Sequence, residues 1–230
     1  SPTQPVTDFT PFSDKPWPTW PVGIGEITPR GMEGVTQMGR FYGQYFRQLH
    51  LLPTAGCPAP DQIYVWADTD QRTIMTGKAF ADGIAQNCHI PIHHQDNLHK
   101  PDPLFHPITA GVCTLDIPTA KHAVETALGG QLDNSLNKKY KDELHTMSEI
   151  LNFKHSSWRA HQDNKKEKSG DFSDFEANRF VTSSKSTALG LSGPVDLSSL
   201  FAETFLLQYA EGMPEVGWGR ITSTHTWQSL

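Results

Sequence analysis

The sequence predicts an α/β fold in which a sheet-bearing part is followed by a mainly helical part. Between residues 29 and 93 the local patterns run helix, strand, helix, strand, the order expected of strands joined by helical crossovers. Beyond about residue 115, three segments carry apolar residues at helical spacing. We therefore expect an α/β domain over residues 1–110 and a mainly helical subdomain over residues 111–230.

The first predicted helix covers residues 29–52. Thr28 is a suitable N-cap residue, and Pro29 is favoured in the first turn. Apolar side chains follow at helical spacing, which predicts that this stripe faces the core: Met32, Val35, Met38, Tyr42, Tyr45 and Leu49. Residues 1–27 are too rich in proline for a helix or a central strand, so we expect them to form an ordered loop.

A strand, a turn and a second helix follow in residues 63–83. Residues 63–67 form a short β-prone run, residues 68–70 a polar turn, and the helix is expected from Thr73 onward. Residues 90–93 predict the next strand. Because ligands bind at the carboxyl ends of the strands in open α/β sheets, residues 68–72 are a candidate site.

The helical part is predicted from three segments, 120–128, 138–151 and 195–210. Two of them have a clear apolar face: Tyr140, Leu144, Met147 and Leu151 in one, and Leu197, Leu200, Phe201, Thr204 and Phe205 in the other. Between these helices, residues 154–174 are polar and predict a mobile surface loop.

Composition limits the class of partner. Apolar residues make up 37% of the chain, charged residues 19%, and the net charge is -6. With no basic face, the sequence argues against a nucleic-acid partner. No stretch approaches the roughly 20 apolar residues of a membrane span, so a membrane partner is not expected either. Both ends, Ser1 and Leu230, look cut, and we expect an internal fragment of a longer protein.

Arg72 is the main candidate for chemistry, because it lies where the predicted strand gives way to the helix. A helix N-terminus has unpaired N–H groups and a partial positive charge, and a guanidinium beside it adds a fork of donors for a phosphate. The alternative is that Asp70 caps the helix and Arg72 pairs with a surface carboxylate. The local sequence leaves both interpretations open.

Cysteine and histidine residues give weaker signals. Cys57 and Cys88 flank the strand–turn–helix unit and could meet on one side of it, or all three cysteines, Cys113 included, could be reduced and buried. Four histidines are close in sequence: His93, His94, His99 and His106. They include no i, i+4 pair on a helix, so the pattern does not favour a metal site.

Seven sequence blocks occur in this order along the chain: WPTWPV at 17–22, ITPRG at 27–31, ADTDQRT at 67–73, DPLF at 102–105, GVC at 111–113, ETFLLQ at 203–208 and GMPE at 212–215. Taken together they resemble the histidine acid phosphatases, and most closely the bacterial periplasmic phytase and acid phosphatase branch. The resemblance implies a phosphoglycerate-mutase-like sheet domain, partial here, and a helical cap subdomain. The family signature RHGxRxP is matched only in its last two positions, by Ser1 and Pro2, and the later HD dipeptide is absent.

The resemblance implies hydrolysis of phosphomonoesters, without a metal or organic cofactor, in a periplasmic or secreted enzyme. Arg72 matches a phosphate-binding arginine of the family, whereas Thr3, Asp68 and Glu203 match substrate-contacting positions. Cys57 and Cys88 are expected to be bridged, and Cys113 is expected to pair beyond residue 230. The 230 residues alone are expected to be inactive, because the nucleophilic histidine and the HD proton donor are not among them.

Two departures bear on the substrate. Gln4 stands where similar phytases often have a lysine, and Ile74 where they often have an arginine. The loss of these cations weakens the case for phytate. A sugar-phosphate phosphatase, such as one preferring glucose 1-phosphate, is the alternative enzyme. For the 230 residues themselves, a noncatalytic module that binds an anion at Arg72 is the alternative from another class.

Overall fold

The chain divides into two units in the computed structural model, which describes residues 1–161, 170–182 and 188–230. The first unit contains Ser1 and Trp20–Val112, and the second contains Pro2–Thr19 and Cys113–Leu230. The sequence predicts one domain over residues 1–110. In the structure, Pro2–Thr19 group with the second unit instead.

The first unit has the order helix, strand, helix, strand. Its elements are α1 (Pro29–Gln48), β1 (Val65–Trp66), α2 (Gln71–Ile84) and β2 (Ile92–His93). The strands are parallel, with Val65 opposite Ile92 and Trp66 opposite His93, and α2 makes the crossover that a parallel pair needs. The Thr28 side chain accepts a hydrogen bond from the Gly31 N–H at 3.0 Å, which caps α1 as the sequence predicts.

The predicted core stripe of the first helix is wrong for four of its six residues. Met38, Tyr42 and Tyr45 of α1 are exposed, as is Leu49, which follows the last residue of the helix, whereas Met32 and Val35 are half-buried. Two buried glycines of α1, Gly39 and Gly43, contact α2 instead, near Gly83. Because these residues lack side chains, the two helix backbones approach more closely than a Cβ atom would allow. The apolar stripe of α1 therefore lies beside this contact and not within it.

The second unit is mainly helical and also contains a β-hairpin that the sequence analysis did not predict. Its α-helices are α3 (Ile117–Leu128), α4 (Leu132–Lys139), α5 (Lys141–Leu151), α6 (Ser157–Ala160), α7 (Pro194–Glu211) and α8 (Thr224–Gln228). Short 3-10 helices cover Val6–Phe12, Phe153–His155, Phe172–Asp174 and Val216–Gly219. The hairpin pairs β3 (Arg179–Thr182) with β4 (Leu189–Ser192) in antiparallel register.

Two expectations for this unit need correction. The single helix predicted over 138–151 is divided at Tyr140, where the backbone leaves helical geometry (φ -110°, ψ 27°) between α4 and α5. The polar loop predicted over 154–174 contains α6, the 3-10 helix Phe172–Asp174 and the last two residues of the 3-10 helix Phe153–His155. Its central residues, 162–169, lie outside the described part of the chain.

Aromatic side chains dominate the core of the second unit. Phe153, Phe172, Phe201 and Phe205 are fully buried, and Trp17 stacks on Phe205 with ring centroids 5.2 Å apart. Phe9 and Trp17 belong to the same core, which explains why residues 2–19 group with this unit. The predicted apolar faces are confirmed for Leu144, Met147 and Leu151 in α5 and for Phe201, Thr204 and Phe205 in α7, all of them buried.

An ion pair fastens the N-terminal segment inside the second unit. Arg220 donates from Nη1 and Nη2 to the two carboxylate oxygens of Asp14 at 2.9 and 2.8 Å, and Asn152 donates to Asp14 Oδ2 at 2.7 Å. The hydrogen bond from Arg220 is the main reason that the pKa of Asp14 lies below its ordinary value of 3.8. A lowered pKa in the folded state means that ionised Asp14 stabilises the unit.

This contribution is present above pH 3.8 and is lost as the pH falls through the lower pKa of the folded state. We expect Asp14→Asn to reduce the free energy of unfolding of the second unit by about 2 kcal/mol at pH 7 and by much less at pH 2. Urea-unfolding titrations at both pH values, followed by the amide NMR resonances of α5, measure this loss in the free energy of unfolding. Asp8→Asn, at an exposed position in the same segment, is the control. An equal loss at both pH values would contradict the account.

Candidate active site

The carboxyl end of β1 leads directly into the N-terminus of α2. After Trp66, the Ala67 N–H donates to the His93 carbonyl at 2.8 Å, which extends the strand pairing. Asp70 is the N-cap residue of α2 with an extended backbone (φ -75°, ψ 144°). The predicted strand–turn–helix order is confirmed, and the helix begins at Gln71, slightly before Thr73.

The first turn of α2 is held by the Thr73 hydroxyl, which lies 2.8 Å from the Asp68 carbonyl and 2.7 Å from the Asp70 carbonyl. Among the residues that the structure describes, none accepts a hydrogen bond from the backbone N–H of Gln71 or Arg72. Both N–H groups lie at the positive end of the 14-residue helix. They are suited to bind an oxyanion.

Arg72 forms an ion pair with Asp70, through Nη2 and Oδ2. From the sequence, two features are possible here: an ion pair of Arg72 with a surface carboxylate, and a cap of the helix by Asp70. The first is observed, whereas the Asp70 side chain makes no capping hydrogen bond. The side chains of Arg72 and Asp70 are 44% and 45% exposed, and an ion pair this exposed contributes at most about 1 kcal/mol. Release of Arg72 from Asp70 therefore costs at most about 1 kcal/mol.

Asp68 is held rigidly at the end of β1, and the residue is only 7% exposed. Its Oδ1 accepts a hydrogen bond from the Thr69 N–H at 2.8 Å, and its Oδ2 lies 2.7 Å from His106 Nε2. Both carboxylate oxygens are therefore engaged within the first unit. Asp68 lies four residues before Arg72 in the chain, at the same β1–α2 junction.

A second buried carboxylate, Asp102, places His106 beside Asp68. Asp102 is 3% exposed and accepts hydrogen bonds from Trp66 Nε1 and the Leu104 N–H, both at 2.8 Å. Its carbonyl accepts from the His106 N–H at 2.8 Å, which closes a turn over 102–106. Two side-chain contacts join this turn to the end of β1: Asp102 with Trp66, and His106 with Asp68. These roles of Asp102 and His106 are not predicted by the local sequence.

We expect His106→Ala to lower the free energy of opening of α2 by about 1–2 kcal/mol, because Asp68 Oδ2 loses its partner in a mostly buried position. Amide hydrogen exchange of α2 measures this opening. His99→Ala is the matched control, because His99 is exposed on the segment that precedes the turn. Unchanged exchange in His106→Ala would show that water replaces the imidazole at Asp68 Oδ2, and that the contact between His106 and Asp68 does not stabilise α2.

The four residues expected to contact substrate fall in different units. Asp68 and Arg72 lie together at the β1–α2 junction of the first unit. Thr3 is exposed ahead of the 3-10 helix Val6–Phe12, and Glu203 is exposed on α7, both in the second unit. Their roles in substrate binding stay predictions.

Cys57 and Cys88 form a disulfide in the first unit, with their Cα atoms 5.5 Å apart, and Cys113 is exposed. Within the described ranges, no group of three or more histidine, cysteine or acidic residues could hold a metal ion. Of the four neighbouring histidines, His106 pairs with Asp68 and His93 stacks on Tyr64. The helices that the structure describes include none long and apolar enough to cross a membrane.

The family model of the histidine phosphatase superfamily (branch 2) matches residues 6–218. The chain is 38% identical to phytase AppA of Escherichia coli (strain K12) over 228 residues, which cover 99% of this chain and 51% of that protein. It is 31% identical to the glucose-1-phosphatase of Salmonella typhimurium over 216 residues, or 93% of this chain and 49% of that protein.

A solved structure gives the same result. Hafnia alvei phytase in complex with myo-inositol hexakis sulphate superposes with a TM-score of 0.90 at 41% identity, over 100% of this chain and 54% of that one. The chain therefore belongs to the histidine phosphatase superfamily, branch 2, and the predicted family and α/β fold class are confirmed. It spans about half the length of the relatives it matches.

Proposed function

We propose that the protein to which these residues belong hydrolyses phosphomonoesters through a phosphohistidine intermediate. A neutral histidine attacks phosphorus, the ester P–O bond breaks, and an acidic residue protonates the leaving alcohol; water then attacks the phosphohistidine and releases phosphate. Membership of the histidine phosphatase superfamily supports this chemistry. Neither RHGxR nor HD occurs in the 230 residues, and we therefore propose that the nucleophile and the proton donor lie outside them.

The role proposed for this chain is to bind and stabilise the transferred phosphoryl group. The observation that carries it is the juxtaposition of Arg72 with the N–H groups of Gln71 and Arg72 at the start of α2. A guanidinium and two N–H groups aimed at the phosphoryl oxygens stabilise the charge that develops on them during transfer. Asp68, Thr3 and Glu203 are proposed to contact the alcohol portion of the substrate.

We propose a phytase-type preference, supported by the similarity to the phytases of Escherichia coli and Hafnia alvei. The similarity to a glucose-1-phosphatase, together with Gln4 and Ile74 in place of two cations, supports the alternative of a sugar-phosphate phosphatase. A periplasmic or secreted location is proposed from the Cys57–Cys88 disulfide, because structural disulfides persist in oxidising compartments.

The test compares two proteins on phytate, glucose 1-phosphate and p-nitrophenyl phosphate. The product of the complete reading frame that contains these codons is expected to hydrolyse phytate with the highest kcat/KM, and the 230-residue chain to show no turnover. A clear preference for glucose 1-phosphate would favour the alternative enzyme. Turnover by the 230-residue chain that is lost in Arg72→Ala would refute the assignment of the nucleophile to residues outside it.

A further inference from the structure

A cavity of about 450 Å³ lies in the first unit at the C-terminal end of α2. It is lined by Arg40, Gln44 and Arg47 of α1, by Gln86 and Asn87 after α2, and by the Cys57–Cys88 disulfide. The 14 residues of α2 separate this cavity from the Arg72 end of the helix by about 20 Å. The cavity is therefore distinct from the proposed phosphate site.

The lining is cationic. It contains two arginines and, in the part of the chain that the structure describes, no carboxylate, although the whole chain has a net charge of -6. Arg40 forms no ion pair with any described residue. The cavity therefore holds two guanidinium charges that no carboxylate of its described lining neutralises, although the Ile84 carbonyl offsets part of the charge of Arg47.

Packing fixes the position of one guanidinium. Arg47 Nη1 donates to the carbonyls of Gly43 and Ile84, both at 2.9 Å, so the side chain is tied to the C-terminal end of α2. These bonds satisfy helix carbonyls, and no described residue accepts a hydrogen bond from Nη2 or Nε of Arg47. The guanidinium is held in place before any ligand arrives, which reduces the entropy cost of binding.

The other polar groups of the cavity lie around this fixed arginine. Arg40, Gln44 and Arg47 follow at i, i+4 and i+7, so they project from one face of α1. That face lies beside the glycine contact of α1 with α2, made by Gly39 and Gly43. The disulfide holds the opposite wall, because Cys88 follows Asn87 directly and is joined to Cys57.

We propose that this cavity is a second ligand site, which binds a small phosphorylated sugar or polyol without hydrolysing it. Two guanidiniums suit a phosphate group, and the side-chain amides of Gln44, Gln86 and Asn87 suit hydroxyl groups, since an amide both donates and accepts. The volume is in the range of small-molecule sites. The proposal does not depend on the proposed activity, because the two sites share no residue.

The test uses the 230-residue chain, disulfide intact, in an Arg72→Ala background that removes the guanidinium of the proposed first site. The ¹⁵N-labelled protein is titrated with glucose 1-phosphate, inorganic phosphate and glucose. We expect saturable shifts of the side-chain amide resonances of Gln44, Gln86 and Asn87, with glucose 1-phosphate binding more tightly than inorganic phosphate and glucose not binding.

Arg40→Gln is expected to weaken this binding roughly tenfold. Because Arg40 is exposed, this variant should retain the dispersed spectrum of the folded chain. Lys78→Gln, which removes an exposed cation of α2 outside the cavity, is the control and should change nothing. Three results would overturn the proposal: no saturable shift, equal binding by Arg40→Gln, or equal affinity for inorganic phosphate and glucose 1-phosphate.

Discussion

Arg72→Ala is expected to lower kcat about 10²- to 10³-fold in the product of the complete reading frame, with a smaller effect on KM. The guanidinium is proposed to bind phosphoryl oxygens whose charge increases as the ester bond breaks, so its removal weakens the transition state more than the bound substrate. Because the Arg72 side chain is 44% exposed and its ion pair with Asp70 is weak, the variant should fold normally.

Two controls make this result specific. Arg72→Lys keeps the charge but loses the planar fork of donors, and it should recover only part of the activity. Lys78→Ala removes an exposed cation from the same helix and should leave kcat within twofold, roughly the effect of an ordinary surface substitution. Steady-state kinetics on p-nitrophenyl phosphate measures all three variants. An unchanged kcat in the Arg72→Ala enzyme would show that Arg72 is not part of the active site.

Gly83→Ala is expected to destabilise the contact between α1 and α2 by about 3 kcal/mol. A Cβ atom at position 83 would overlap the carbonyl oxygen of Thr36 and lie 2.8 Å from the Gly39 Cα. Both are backbone atoms of α1, so the helices must separate to make room. The higher helix propensity of alanine, worth about 1 kcal/mol, offsets only part of this cost.

Gly34→Ala is the matched control on α1. A Cβ atom at Gly34 would meet no heavy atom within 4 Å beyond the adjoining helix backbone, so the substitution should stabilise α1 by up to about 1 kcal/mol. Hydrogen exchange of α2 amides separates the two outcomes, since Gly83→Ala should speed exchange and Gly34→Ala should not. Equal exchange in both variants would show that the close helix contact does not contribute to stability.

The fold could be predicted from the sequence where local signals agree. Thr28 and Pro29 fix the start of α1, and the β-prone run, polar turn and helix at 63–83 yield β1 and α2 in order. The buried face of α1 could not be predicted in this way. Periodicity shows that Met38, Tyr42 and Tyr45 share a stripe, but it does not reveal that glycines make the contact with α2.

The candidate site could be predicted only in part, because local sequence patterns do not show contacts between residues that are distant in the chain. Arg72 and Asp68 were found because a strand end and a helix start are adjacent in sequence. Asp102 and His106 act across more than 30 residues, on Trp66 and Asp68, and no local pattern connects them. The Asp102-Pro103 pair was a usable signal, since aspartate commonly starts a turn through its side chain. Only the folded chain shows that this turn supports the end of β1.

Phosphate binding by the 230-residue chain tests the central claim, that these residues contain a phosphate-binding element at the start of α2. The measurement is an ¹⁵N NMR titration with inorganic phosphate, following the backbone amides of Gln71, Arg72 and Thr73. The account predicts saturable shifts of these amides in the wild-type chain and an affinity for phosphate that is lower by about tenfold or more in Arg72→Ala, which keeps the N–H groups but loses the guanidinium. The absence of shifts from the wild-type chain, or an equal affinity in Arg72→Ala, would contradict it.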